Sequence, residues 1–156
     1  MKPLVAAVAV LVATSCGGAE RDLAETSSPA LETTDTLRAR AEQGDAEAQV
    51  NLGFRYATGE GVPQDAADAV RWFRLAADQG HAEAQFNLAL MYYNGEGVPQ
   101  DDVQALMWFN LTASRSTGED RESAVSARDR ARARMTAEQV AEAQRLAREW
   151  AEAHPR

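Results

Sequence analysis

Side chains that could act as a general base or a nucleophile are few and widely separated in this sequence. There are two histidines, His81 and His154, and a single cysteine, Cys16. His81 occupies the place that Asp45 holds 36 residues earlier, which predicts an exposed helix start, and His154 follows the last predicted helix. One cysteine cannot form an internal disulfide or a cysteine metal cluster, and no phosphate-binding loop pattern is present. The residue types therefore predict no catalytic, cofactor-binding or metal-ligating set.

Basic side chains also fail to form a nucleic-acid site. The net charge is −8, and residues 17–114 hold 6 arginines against 16 acidic residues, a net of −10. Such a balance gives no general attraction to nucleic acid. Four arginines alternate with other residues in one later run: Arg128, Arg130, Arg132 and Arg134. We expect them to pair with acidic residues on the last helix or on the preceding repeat, with no nucleic-acid partner.

The elements that position these residues form a repeated unit. Residues 44–79 align without a gap on residues 80–115, and 20 of the 36 positions are identical, including the block GEGVPQD. Self-similarity at such a period is the signature of stacked helical repeats.

Each unit has the pattern of two helices joined by a glycine turn. In the first unit a helix is predicted over 46–58, and Gly59 ends it because a residue at that place often needs a left-handed backbone. Asp65, like Asp101 in the second unit, is placed to cap the second helix with its carboxylate. Bulky aromatic residues recur behind these caps and are predicted core: Trp72, Phe73, Trp108 and Phe109.

These residues carry a family resemblance. The order A-E-A-Q-x-N-L, then G-x-G-V-x-x-D, then A-x-x-W-F resembles the Sel-like repeat, a relative of the tetratricopeptide repeat. The resemblance implies an all-α solenoid with a tetratricopeptide-like superhelix, here of about seven helices. It also implies a non-catalytic scaffold that binds a partner protein or peptide on its concave face. The alternatives are a β-lactam-hydrolase-like repeat enzyme of the cell envelope and a purely structural envelope lipoprotein.

The solenoid is predicted to cover residues 34–153. Residues 34–43 match the second helix of a preceding unit and form a half repeat before the two repeats 44–79 and 80–115. A degenerate capping pair of helices follows over 116–153. Its first helix is predicted from Glu119 to Met135, and its second begins at a capping box that joins Thr136 to Gln139. A polar terminal pair of this kind keeps a solenoid soluble.

The N-terminal segment has the features of an export signal. Lys2 precedes an uncharged apolar run over residues 3–13, which reaches about 17 Å as a helix and is too short for a ~30 Å membrane core. Residues 1–15 are therefore predicted to be a signal peptide. Small residues directly before Cys16 resemble the lipobox of bacterial lipoproteins, which implies a lipidated Cys16 on a flexible tether over residues 16–33. The expected location is the outer membrane, facing the periplasm, or a secreted or periplasmic state without the lipid.

The predicted partner-binding positions lie on the first helix of each unit. We expect the stripe of Ala48, Leu52 and Tyr56 to face the second helix, with Val50 and Phe54 packing on the helix before.

That arrangement leaves one pair of positions in each unit to point into the groove. These are Asn51 and Arg55 in the first unit and Asn87 and Met91 in the second. The two amides could bind a partner's backbone, or they could satisfy a neighbouring helix within the solenoid.

Lipidation of Cys16 can be tested by metabolic labelling with a palmitate analogue. We expect wild-type protein to incorporate the label and Cys16→Ala to lose it, because the acyl chains would be attached through this cysteine. Equal labelling of the two proteins would contradict the lipoprotein prediction.

Overall fold

Seven α-helices make up the regular structure of residues 32–155, the part of the chain that the computed structural model describes. In chain order they are α1 (Thr34–Glu42), α2 (Ala46–Thr58), α3 (Ala66–Asp78), α4 (Ala82–Asn94), α5 (Asp102–Arg115), α6 (Gly118–Arg132) and α7 (Ala137–Ala153). Consecutive helices pack on each other from α1 to α6, and α7 packs on α5. The predicted all-α solenoid of about seven helices is confirmed over these residues.

The turns between paired helices are built as the sequence predicts. Gly59 and Gly95 end α2 and α4 with φ of 79° and 73°, a left-handed conformation that glycine adopts without strain. Asp65 and Asp101 then cap α3 and α5, each carboxylate accepting two backbone N–H groups. The predicted caps are confirmed, and they make the two repeats superimposable in their local hydrogen bonding.

The core runs along the second helix of each pair. The four predicted core aromatics are at most 5% exposed: Trp72, Phe73, Trp108 and Phe109. Burying each such side chain stabilises the fold by about 1.5–3 kcal/mol. The aromatic core residues are therefore confirmed.

The prediction for the faces of α2 is wrong for Val50 and Phe54. Val50, expected on the preceding helix, belongs to the core cluster that contains Phe73 of α3, and the buried residues of α1 belong to a separate cluster. Leu52 lies in a cluster with Leu37 of α1 as well as Trp72 of α3, so its stripe serves the helix before it too. Phe54, expected on the preceding helix, instead packs edge-on against Phe73 of α3 with ring centroids 5.2 Å apart. The physical reason is that α2 lies between α1 and α3. Periodicity shows which faces are apolar but not which neighbour covers each face.

Successive helices are joined by hydrogen bonds that recur at the 36-residue period. The buried amide of Gln49 donates to the carbonyl oxygen of Ala41 (3.0 Å), and that of Gln85 donates to Ala77 (3.1 Å). A second hydrogen bond between these helices also recurs at this period: Arg38 donates to the Tyr56 hydroxyl, and Arg74 donates to the Tyr92 hydroxyl. Thus α1 packs on α2 in the way that α3 packs on α4.

In the third pair of helices, α6 and α7, the first helix keeps the 36-residue spacing of the repeats, although the sequence of the pair no longer matches theirs. Helix α6 begins 36 residues after α4, but Ala131 stands where the earlier units have their terminating glycine. The helix ends at Arg132, three residues before the predicted Met135, because Thr136 must be extended to cap α7. The predicted capping box of Thr136 and Gln139 is confirmed.

Arg134 fastens this third pair to the second repeat. Its Nε donates to Asp102 (2.9 Å), and its guanidinium carbon lies 3.7 Å from the centroid of the Tyr93 ring. Arg134 therefore pairs with the preceding repeat, as expected. The expectation is wrong for the other three arginines: Arg128 pairs with Asp129 of its own helix, and Arg130 and Arg132 form no ion pair within residues 32–155.

The predictions for the N-terminal segment lie almost entirely outside the described residues. The signal peptide over residues 1–15, Cys16 and nearly all of the tether precede residue 32. Within residues 32–155, no helix has the length and apolar character to cross a membrane.

Gly97→Ala should destabilise the protein much more than the matched change Gly61→Ala. Both glycines have positive φ, 68° and 72°, so both substitutions carry a strain of about 1–2 kcal/mol. At Gly97, however, a Cβ would lie 2.3 Å from the Ala66 carbonyl oxygen, whereas at Gly61 the nearest atom is a side-chain hydroxyl 3.1 Å away. Thermal unfolding followed by circular dichroism measures the stability of the two variants. Equal melting temperatures would contradict the packing of the α4–α5 turn, which contains Gly97, on the start of α3.

Candidate binding groove

A groove runs between the first helices of the last two pairs. Helix α5 packs directly on both α4 and α6 and forms the floor, while α4 and α6 form the two walls. Two cavities follow one another along these helices, one helical turn apart. We call the two together the α4–α6 groove.

The larger cavity has a volume of about 430 Å³. Its lining residues come from four helices and are Phe54, Ala82, Glu83, Phe86, Asn87, Thr112, Ser116, Asp120 and Ser123. Two aromatic rings, those of Phe54 and Phe86, are among these lining residues. Each is half-buried, and each packs against a core phenylalanine, Phe73 at 5.2 Å and Phe109 at 5.8 Å between centroids. The core therefore holds these rings in place before any partner binds.

The smaller cavity, of about 220 Å³, continues the groove toward the C-terminal end of α4. Its lining residues are Leu90, Tyr93, Asn94, Phe109, Ala127 and Arg130.

Small side chains on α6 explain why space remains between the walls. Helix α6 has Ser123 and Ala127 at the positions where, 36 residues earlier, α4 has Asn87 and Met91. A serine and an alanine reach less far from the helix than an asparagine and a methionine. The groove thus follows from the degenerate sequence of the third pair.

Only one of the four predicted binding residues lines this groove. Asn87 lies in its wall and donates a hydrogen bond to the carbonyl of Glu83 (2.8 Å) in its own helix. Asn51 is half-buried on α2, and no hydrogen bond of its side chain is found within residues 32–155. A role of either amide in binding a partner stays a prediction.

Arg55 and Met91 serve contacts between successive helices. The guanidinium of Arg55 donates to the Thr34 hydroxyl and the Glu32 carbonyl, both at 2.8 Å, and so ties α2 to the start of α1. One period later the equivalents of Arg55 and Thr34 are Met91 and Val70, and both are 6% exposed. The structure therefore brings neither Arg55 nor Met91 into the α4–α6 groove. A pattern read on one helix does not show that the preceding helix covers this position.

Sequence reasoning missed Phe54 and Phe86 as lining residues. Both are apolar residues in a helical pattern, which favours the core. One signal could have separated them: each is aromatic at a position where the other repeat has an aliphatic residue, since Phe54 aligns with Leu90 and Phe86 aligns with Val50. An aromatic residue that departs from the repeat has a role that the repeat alone does not require.

The chemical groups of the groove suit binding through apolar contacts and hydrogen bonds. Hydroxyl, amide and carboxylate groups surround the two rings, and neither histidine is among the lining residues. His81 lies at the N-cap of α4 without a side-chain capping bond, and His154 stacks on Trp150 with centroids 4.2 Å apart. Among the described residues, no group of three or more acidic, histidine or cysteine side chains could hold a metal ion.

Comparisons with known proteins identify the repeat. The sequence matches the Sel1 repeat family over residues 46–81 and 82–116. No curated protein matches the chain.

Two similar solved structures share the solenoid. One is a protective antigen present in uropathogenic Escherichia coli strains, described as displaying an SLR fold, with 34% identity and a TM-score of 0.70 over 76% of this chain. Another is a Sel1 repeat protein from Oxalobacter formigenes, with 37% identity and a TM-score of 0.55 over 59% of this chain. The chain spans about a quarter of the length of each, 25% and 27%.

Replacing the two repeated asparagines, Asn51 and Asn87, should leave the stability of the fold nearly unchanged. Replacing the buried Gln49 should lower it. In Asn51→Ala/Asn87→Ala no hydrogen bond between helices is lost. In Gln49→Ala two are lost, to Ala41 and Gln79, at a cost of about 1 kcal/mol each. We expect the double variant to melt close to wild type and Gln49→Ala to melt several degrees lower. A large drop in the double variant would show that the asparagines are structural.

Proposed function

Because residues 46–81 and 82–116 of this chain are Sel1 repeats, we propose that it is a non-catalytic scaffold that binds a partner protein or peptide in the α4–α6 groove. Stacked helical pairs present a concave surface along the first helices, and repeat proteins use such surfaces to hold partners. The proposal concerns this chain alone, since it spans a quarter of the length of the related structures.

The observation that carries the proposal is the pair of accessible rings at the larger cavity. Phe54 and Phe86 are half-buried, although an apolar side chain gains most when it is fully covered. A partner side chain inserted between α4 and α6 would complete their burial. The cavity volume of about 430 Å³ falls within the 300–1,000 Å³ range of ligand sites.

The polar groups around the rings support binding over catalysis. Nucleophilic catalysis by a serine needs an adjacent base within hydrogen-bond reach. Ser116 and Ser123 line the groove, but neither forms a hydrogen bond to a histidine or carboxylate in the described part of the chain. Carboxylates and hydroxyls of this kind suit the polar rim of a peptide site.

We further propose that the scaffold acts in the bacterial cell envelope, tethered to the membrane through a lipidated Cys16. This part rests on the sequence of the first 33 residues, with its short apolar run and the small residues before Cys16. A tether of about 17 residues would let the groove reach partners some distance from the membrane surface.

Site-specific photo-crosslinking tests the proposed function. A photoreactive amino acid at Asn87 in the groove should yield a discrete covalent adduct with a partner protein in the native cell. The same probe at Gln144, an exposed position on α7 outside the groove, serves as the control. No adduct at Asn87, or the same adducts at both positions, would contradict partner binding in this groove.

A further inference from the structure

The two ends of the α4–α6 groove carry opposite charges. At the end where α4 and α6 begin, the carboxylates of Glu83 and Asp120 line the larger cavity from opposite walls. At the other end the guanidinium of Arg130 lines the smaller cavity. The groove therefore has a direction, set by charge, between its two ends.

The three charges at the groove ends are not bound by other charged side chains in the described part of the chain. No ion pair forms at Glu83, Asp120 or Arg130 within residues 32–155, and all three residues are exposed. By contrast, Arg134 on the same segment pairs with Asp102, and Arg145 on α7 pairs with Glu142 and Glu149. The charges at the groove ends thus remain available to a bound molecule.

The distance between the ends fits a short stretch of peptide. Ten residues separate Asp120 from Arg130 along α6, and at 1.5 Å per residue this is about 15 Å. An extended chain rises about 3.3 Å per residue, so four or five residues span the groove. The middle of this span is apolar: the half-buried Phe86 and Leu90 lie on the wall, above the fully buried Phe109 of the floor.

We propose that the groove selects a linear peptide segment with a lysine or arginine at the Glu83–Asp120 end, an apolar side chain in the middle, and an aspartate or glutamate four or five residues away at Arg130. This inference rests on the proposed function and adds the class of partner sequence. Charge complementarity fixes the register of the peptide, and the aromatic surface supplies the contact area.

Selection of a random twelve-residue peptide library on the purified full chain tests the inference. Wild-type protein should enrich peptides with opposite charges four or five residues apart and an apolar residue between them. For a synthetic peptide from this set, Glu83→Lys/Asp120→Lys should weaken binding about tenfold, and Arg130→Glu should weaken it several-fold. Binding should also fall at high salt, because exposed charges are screened.

Matched variants separate groove charge from general effects. Asp35→Lys/Glu138→Lys also reverses two first-turn carboxylates, at residues outside the groove, and should bind like wild type. Arg121→Glu reverses an exposed arginine of α6 that does not line the groove, and it too should bind like wild type. Melting curves establish that every variant is folded.

The other outcomes overturn the inference in distinguishable ways. If the enriched peptides lack the charge pattern and lose binding in Phe86→Ala but not in the charge variants, the charge rule is wrong and the groove still binds peptides. If peptides bind equally to wild type, Phe86→Ala and the charge variants, or if none are enriched, the inference is wrong as well. The Asn87 crosslink then decides separately whether the groove binds a protein at all.

Discussion

The register between successive helical pairs depends on a buried amide at the start of each first helix. Gln49 and Gln85 are 3% and 0% exposed, and each donates to the carbonyl of an alanine in the last turn of the preceding helix. A buried amide is costly without a partner, so the two helices can approach only in the register that forms this bond. With the helix order and the 36-residue period, this contact makes α1–α2 and α3–α4 equivalent interfaces. The solenoid follows from repeating it.

The contact is absent from the third pair, and the groove lies beside that pair. Arg121 stands 36 residues after Gln85 and is exposed, so it cannot make the same buried bond. Helix α6 instead packs on α5 through the small residues Ala124, Ala127 and Ala131, all buried. Alanines allow close packing on α5 but leave space toward α4. The degenerate end of the solenoid therefore supplies both the termination of the repeat and a surface for binding.

The rigidity of this surface has a physical origin in the aromatic core. Phe86 and Tyr93 of α4 both pack on Phe109, which is fully buried. On α7, Trp150 packs on Trp108 at 5.7 Å, and Arg115 lies over the Trp150 ring at 4.7 Å. Contacts of this kind hold α4, α5 and α7 as one unit, and a preorganised surface loses less conformational entropy when a partner binds. Only the rim residues of the groove need to adjust.

By itself, the sequence determined the helices, the Asp65 and Asp101 caps and the glycine turns, because these depend on residues a few positions apart, whose backbone preferences act wherever the chain folds. The 36-residue period was visible by comparing the two units, and it marked the recurring aromatic residues as core. Tertiary structure decided what covers each face. Arg55 points to the start of α1 instead of the groove, Phe54 turns to Phe73, and the cavity opens where α6 has Ser123 and Ala127. Such contacts depend on the relative placement of three helices at once, and periodicity along one helix contains no information on that placement.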